Sequence, residues 1–208
     1  STDEAVGLAL IDALMKSSAL SSLRVDAVKQ RLAKYPPTVQ TQAAALYSKM
    51  NVDEAKQKAK LEQLLGNLAG GDVRRGQQVF HSTKAACASC HAMGYLGGKV
   101  GPDLTRIGGI RTERDLLEAV VFPSVSFVRS YEPVAVLTTA GKSYNGILKK
   151  DASDEIILTI NATDEVRIPR DEIDELRPSI VSVMPAGLDT QLTQQELADL
   201  IAFLKNAK

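Results

Sequence analysis

The chain has no excess charge of either sign, because its 25 lysines and arginines cancel its 25 aspartates and glutamates. Without a global field it is not drawn to nucleic acid or to an anionic membrane, so neither is an expected partner. It has no apolar run near the roughly 18 residues that a membrane-spanning helix needs. Its start, Ser1-Thr2-Asp3-Glu4, lacks the basic residues and apolar stretch of a secretory signal. Histidine and cysteine are scarce, with two of each in 208 residues. A structural zinc site, which usually draws on a second Cys or His pair downstream, therefore lacks ligands. What the chain does have is enough apolar content, 44%, to bury a proper core in one large or two small domains.

Both cysteines fall in a single pentapeptide, Cys87-Ala88-Ser89-Cys90-His91. That is the attachment signature of a covalent c-type haem. Two thiols three residues apart on one helical turn can each add to a haem vinyl group, while the adjacent imidazole reaches the iron. One haem c is implied, with His91 as its proximal ligand. Rival readings of the same residues are weaker: the only other histidine, His81, lies upstream, where a zinc site would want a downstream pair. A thioredoxin-like dithiol would need a βαβ context that does not surround it, and a plain disulfide leaves His91 unexplained. Haem is joined to such motifs on the outer side of the bacterial membrane. The expected location is thus periplasmic or otherwise extracytoplasmic, with a leader or a larger upstream portion removed.

Three segments follow one another. Residues 1–70 read as four short amphipathic helices, with stripes Leu8, Ile11, Met15; Val25, Val28, Leu32; Val39, Ala43, Leu46, Met50; and Leu61, Leu65, Leu68. Pro36-Pro37 suits entry into the third, and Asn51 with Glu54 reads as a cap opening the fourth. This segment carries no ionisable cluster and is read as a packing or spacer module, resembling helical repeats only weakly. Gly70-Gly71 then punctuates the chain. A helix over 72–80 carries Gly76 and Phe80 on one face, and the missing side chain at Gly76 would let the C-terminal helix cross closely. That last helix is signed by a capping box, Thr193 with Glu196, and by a staple, Leu192 with Leu197. Another helix is expected from Thr112 to just before Pro123, carrying Leu116, Leu117 and Val120.

Between residues 127 and 178 the period switches to two. Short β-branched runs at 132–139, 142–149, 155–160 and 165–169 alternate with turn residues, which reads as a small antiparallel meander or barrel. This insert holds seven basic and ten acidic residues, a net charge of −3, whereas 72–126 with 179–208 carry +1 and 1–71 carry +2. The helices on either side have their own caps and apolar faces, so the insert is expected to be an independent module. Its acidity would steer a basic partner.

His91 must be neutral to bind iron, and its second ring nitrogen needs an acceptor. Gly101-Pro102-Asp103-Leu104 can supply one, since Pro102 has a carbonyl and no N–H. For the sixth ligand the donors are Met15, Met50, Met93, Met184 and His81. Met15 and Met50 lie on apolar stripes and read as core. Met93 is two residues from His91 and cannot reach the opposite haem face, and His81 ends a helix on the proximal side. Met184, in the extended stretch Ser182-Val183-Met184-Pro185, is the expected ligand. It lies 93 residues after His91, and removing the 52-residue insert leaves 41, a single-haem spacing. A vacant or exogenously filled sixth position and His81 remain as alternatives. Tyr95, Lys99, Arg106 and Arg111 are candidate propionate contacts.

The order of parts, from the Gly76/Phe80 helix through Cys87-x-x-Cys90-His91, Gly101-Pro102-Asp103-Leu104 and Met184-Pro185 to a terminal helix, resembles the class I c-type cytochromes. The insert departs from that pattern. Through Pro123-Ser124, Tyr131-Glu132, Gly146, Ile168-Pro169-Arg170, Ile173 to Ser179 and Met184-Pro185, residues 72–208 resemble a narrower family, the haem-binding domain of planctomycete and verrucomicrobial proteins. The resemblance implies a mainly α, cytochrome c-like haem domain at 72–208, interrupted by β structure at 127–178 and preceded by a helical segment at 1–70. It implies one-electron transport with His91/Met184 ligation and no catalysis. Redox partner proteins are expected, among them a dehydrogenase domain of the same parent chain. The alternative is a small-ligand sensor or peroxidase-like enzyme with an open sixth position.

Overall fold

The computed structural model describes residues 3–17, 20, 23 and 25–208, with the side chains of 51–54 excepted. The chain divides into two compact units, Ser1–Gln63 and Leu64–Lys208. The first is helical, built from α1 (Glu4–Lys16), α2 (Val25–Leu32) and most of α3 (Pro37–Gly66). Asp3 opens α1 by accepting from the Val6 N–H at 3.1 Å. Pro37 takes the first position of α3, where a missing N–H forfeits no helical bond. Ile11, Val28, Leu32, Val39, Ala43, Leu46 and Met50 form one buried cluster, with Met15 packed against it. The helix start expected at Asn51 lies instead midway along α3, which runs through it unbroken. The Asn51 and Glu54 side chains lie outside the described residues. A cap pattern competes with propagation, and flanking strong helix formers such as Ala55, Lys56 and Gln57 favour one 30-residue helix over two short ones.

The second unit is mixed α/β. Its helical part contains α4 (Val73–His81), α5 (Cys87–Cys90), α6 (Ile107–Ile110), α7 (Glu113–Val121), α8 (Leu188–Gln191) and α9 (Gln194–Asn206). A small hairpin, β1 (Ala92–Met93) with β2 (Leu96–Gly97), follows α5. The capping box expected at Thr193 forms with Glu196, and the helix expected from Thr112 opens on a second such box, Thr112 with Asp115. Helices α4 and α9 touch backbone to backbone: a Cβ on Gly76 would sit 1.9 Å from the Asp199 carbonyl oxygen. Beside that crossing the Phe80 and Phe203 rings lie 5.5 Å apart. Gly108 approaches the far end of α9 in the same way, and Lys205 donates to the Gly108 and Arg111 carbonyls at 2.8 Å each.

A buried carboxylate pins the crossing. Asp199 accepts from Arg75 Nε at 2.7 Å and Nη2 at 2.9 Å, from the Asp72 N–H at 2.7 Å and from Gln195 Nε2 at 2.9 Å. The Arg75 guanidinium, reinforced by those N–H donors, holds its pKa at about 2.

The insert is one antiparallel sheet of β3 (Pro133–Thr138), β4 (Ser143–Asp151), β5 (Glu155–Thr159), β6 (Glu165–Pro169) and β7 (Ile173–Pro178) in the order β6-β5-β4-β3-β7. The first four are the expected runs. Strand β7 forms where none was expected: it is an edge strand, exposed from Asp174 to Pro178, so no apolar alternation marks it. Flat, five strands would part their edges by roughly 19 Å. A single 3-10 turn, Arg170–Glu172, nevertheless joins β6 to β7, and at about 2 Å per residue it cannot span that distance. The sheet therefore curls without closing. Val136, Ile156, Leu158 and Ile168 make its own buried cluster. Among the described residues no helix is long and apolar enough to cross a membrane.

Candidate functional site

The pentapeptide forms one closed turn. Ala86 enters α5 in the left-handed region at φ 50°, and the His91 N–H donates to the Cys87 carbonyl at 2.9 Å, ending the helix after Cys90. His91 itself is extended, so its side chain leaves the turn for the loop that follows. That loop folds back along the turn. The Gly98 N–H donates to Ala88 at 2.8 Å, Gly101 to Cys90 at 2.8 Å and Leu104 to Ala92 at 2.9 Å.

Two glycines permit this contact. A Cβ on Gly98 would lie 2.0 Å from the Ser89 carbonyl oxygen, and one on Gly101 would lie 2.4 Å from Cε1 of His91 and 2.7 Å from its Nδ1. Gly101 thus lies flat against the imidazole. Pro102 then presents its carbonyl to Nδ1 at 2.8 Å. A carbonyl only accepts, so Nδ1 carries the proton, and in the neutral ring Nε2 keeps its lone pair. Burial lowers the His91 pKa, against the opposing pull of the Pro102 carbonyl, and so favours that neutral ring.

The two cysteines are free thiols, each half-buried. Burial pushes the Cys87 thiol up to about 11, which keeps it protonated at neutral pH. The loop is braced further on. Asp103 accepts from the Thr105 N–H at 2.7 Å and from its hydroxyl, and the same Thr105 oxygen accepts from the Gly94 N–H at 2.7 Å. Hydrogen bonding to Thr105 lowers the Asp103 pKa.

Met184 belongs to a different segment, residues 179–187, between β7 and α8. It is half-buried. Its N–H donates to Ser182 Oγ at 3.1 Å, and the Ser182 N–H donates to the buried hydroxyl of Ser124, just past α7, at 3.0 Å. Two further ties come from the insert: Pro133 of β3 accepts from the Ser179 N–H at 2.8 Å, and Asn145 Nδ2 of β4 donates to the Val181 carbonyl at 3.1 Å. The sheet has its own core, yet it fastens this segment at two points.

Of the expected site residues, Cys87, Cys90, His91 and Pro102 are gathered in one loop system, while Met184 stands on the separate segment. His81 is exposed, with its ring edge-on to Phe80. Tyr95 and Arg106 line one groove of about 480 Å³ with Ile107 and Ile110, and Lys99 and Arg111 are exposed. Gly98, Gly101, Ser124 and Asn145 join the site only through the fold. Gly98 and Gly101 follow His91 at short range, a signal of close backbone approach; Asn145 has no sequence signal. Among the described residues, no group of three or more His, Cys, Asp or Glu side chains is arranged to hold a metal ion. Comparison with known protein families and with curated proteins found no match.

Proposed function

We propose that the chain is a single-haem c-type cytochrome of the class I kind, carrying one electron at a time between an extracytoplasmic dehydrogenase domain or partner and another redox acceptor. The observation that carries this reading is the seating of His91. Its Nδ1–H is held by Pro102, its ring face is covered by Gly101, and its Nε2 is left with a fixed lone pair, while the turn that precedes it carries two free thiols.

The residues fit the group. Cys87 and Cys90 would each add an S–H across a vinyl double bond, giving two thioethers with no leaving group. When bound, haem c supplies a one-electron ferric/ferrous couple. His91 would hold the iron through Nε2, and its bond to Pro102 fixes the ring and would raise its basicity as a ligand. Met184 would be the second protein ligand, a neutral soft donor that would favour the ferrous state more than a second imidazole. With His91 and Met184 both holding the iron, the chain would leave no place on the metal for a substrate, and the role would be that of a relay. On this reading residues 72–126 and 179–208 are the cytochrome frame, and 127–178 are inserted in it.

Spectra of the reduced protein with and without carbon monoxide test the reading. The expected spectrum is low-spin and unchanged by carbon monoxide, with a near-infrared sulfur-to-iron band in the oxidised form. A spectrum that carbon monoxide shifts would replace the relay with an open-iron sensor or peroxidase-like enzyme.

A further inference from the structure

We propose that the β insert is a clamp for the distal ligand, and that Asn145 is its positioning residue. This rests on the reading of Met184 as an iron ligand. Nine residues, 179–187, separate β7 from α8 without regular structure. A methionine on a free loop of that length would lose much conformational entropy on reaching a metal. The insert removes much of that freedom in advance, through the Pro133 and Asn145 bonds to Ser179 and Val181.

Asn145 is an unusual choice for this place. Asparagine is disfavoured inside strands, and here it lies in β4 opposite Ala135 of β3. Its Oδ1 is buried without a hydrogen-bond partner. Rotating the amide would not cure this, because oxygen would then face the Val181 carbonyl. The bond from Nδ2 reaches out of the sheet to a residue three positions before Met184. The serines complete the chain of contacts: Val181 to Ser182, Ser182 to Ser124, and Met184 back to Ser182.

The test is displacement of the distal ligand by imidazole in the oxidised holoprotein, read by loss of the near-infrared sulfur-to-iron band. Asn145→Ala should keep the covalent haem and the band, yet bind imidazole roughly three- to tenfold more tightly, the range expected for one lost hydrogen bond. Asn145→Asp keeps the shape, loses the donor and should do at least as much; it also serves if Asn145→Ala fails to fold. In both, amide exchange at Ser182 and Met184 should quicken. Asn161→Ala is the control. It breaks bonds to Thr163 and Asp164 inside the insert, so it should lower thermal stability without changing imidazole affinity. Wild-type imidazole affinity in both Asn145 variants, or a rise in Asn161→Ala as large as theirs, would overturn the clamp. Absence of the band in the wild type would overturn the ligation itself and with it this inference.

Discussion

The loop that holds His91 closes on itself within residues 87–105, whereas the segment that carries Met184 is tied to residues 36 and 58 positions away. On the first side a tight turn, two glycines and a Gly-Pro carbonyl do everything, and each can be read from neighbouring letters. On the second side the chain must first build a curled sheet and cap a helix before Asn145 and Ser124 stand where the segment can use them. A local device can be seated before much of the fold exists. A long-range one depends on the fold being complete, and weakens wherever the fold loosens. The thiols and imidazole are therefore expected to tolerate changes in the insert, and the thioether is not.

The largest effect is expected from Gly101→Ala, whose Cβ would overlap the imidazole at 2.4 Å. It should displace His91 from Pro102, cost about 3 kcal/mol of stability and abolish the normal low-spin spectrum. If the variant has wild-type spectra, the His91 side is less tightly built than its geometry implies. Next comes deletion of the insert, joining Ser126 to Ser179 by a short linker. Sequence periodicity alone predicts an independent module whose loss is harmless. The bonds from Pro133 and Asn145 change that expectation: haem should stay covalently attached, while imidazole affinity rises by about tenfold or more as both ties are lost. An unchanged affinity would erase the contrast between the two sides.

The frame that both sides share is sensitive to acid through Asp199. Asp199 is held from an ordinary 3.8 down to about 2, chiefly by Arg75. Its folded-state pKa is depressed, so its contribution is fully present above about pH 5 and is lost as pH falls toward 2. The loss is on the order of 2 kcal/mol. Urea midpoints across that range should fall more steeply in the wild type than in Asp199→Asn, and parallel slopes would remove Asp199 from the account. The smallest effect is expected from Ser124→Ala. It leaves the Ser182 N–H without its acceptor and should raise imidazole affinity by roughly threefold, leaving covalent attachment untouched.

Much of the frame is legible in the residues. Thr112, Thr193 and Gly76 declare caps and a close crossing because the physics behind each is local to a few positions, and four strands declare themselves by alternation. Strand β7 escapes because an exposed edge needs no apolar face, and the helix through Asn51 escapes because propagation outweighs a cap pattern. At the candidate site, Cys87, Cys90, His91 and Pro102 are readable as a unit. The ties to Met184 are not, since a hydrogen bond between Asn145 and Val181 leaves no pattern in either stretch of sequence. The same holds for Asp199, which stands among apolar neighbours on α9 and finds Arg75 only across the helix crossing.

The most direct measurement of the central claim is the mass of the intact chain after secretion into a compartment able to attach haem, followed by acid extraction of any loosely held pigment. The account predicts a chain heavier by one haem, with the colour retained on denaturation and lost when Cys87 and Cys90 are both replaced by alanine. A chain of unmodified mass, or one lighter by two hydrogens through a Cys87–Cys90 disulfide, would contradict it.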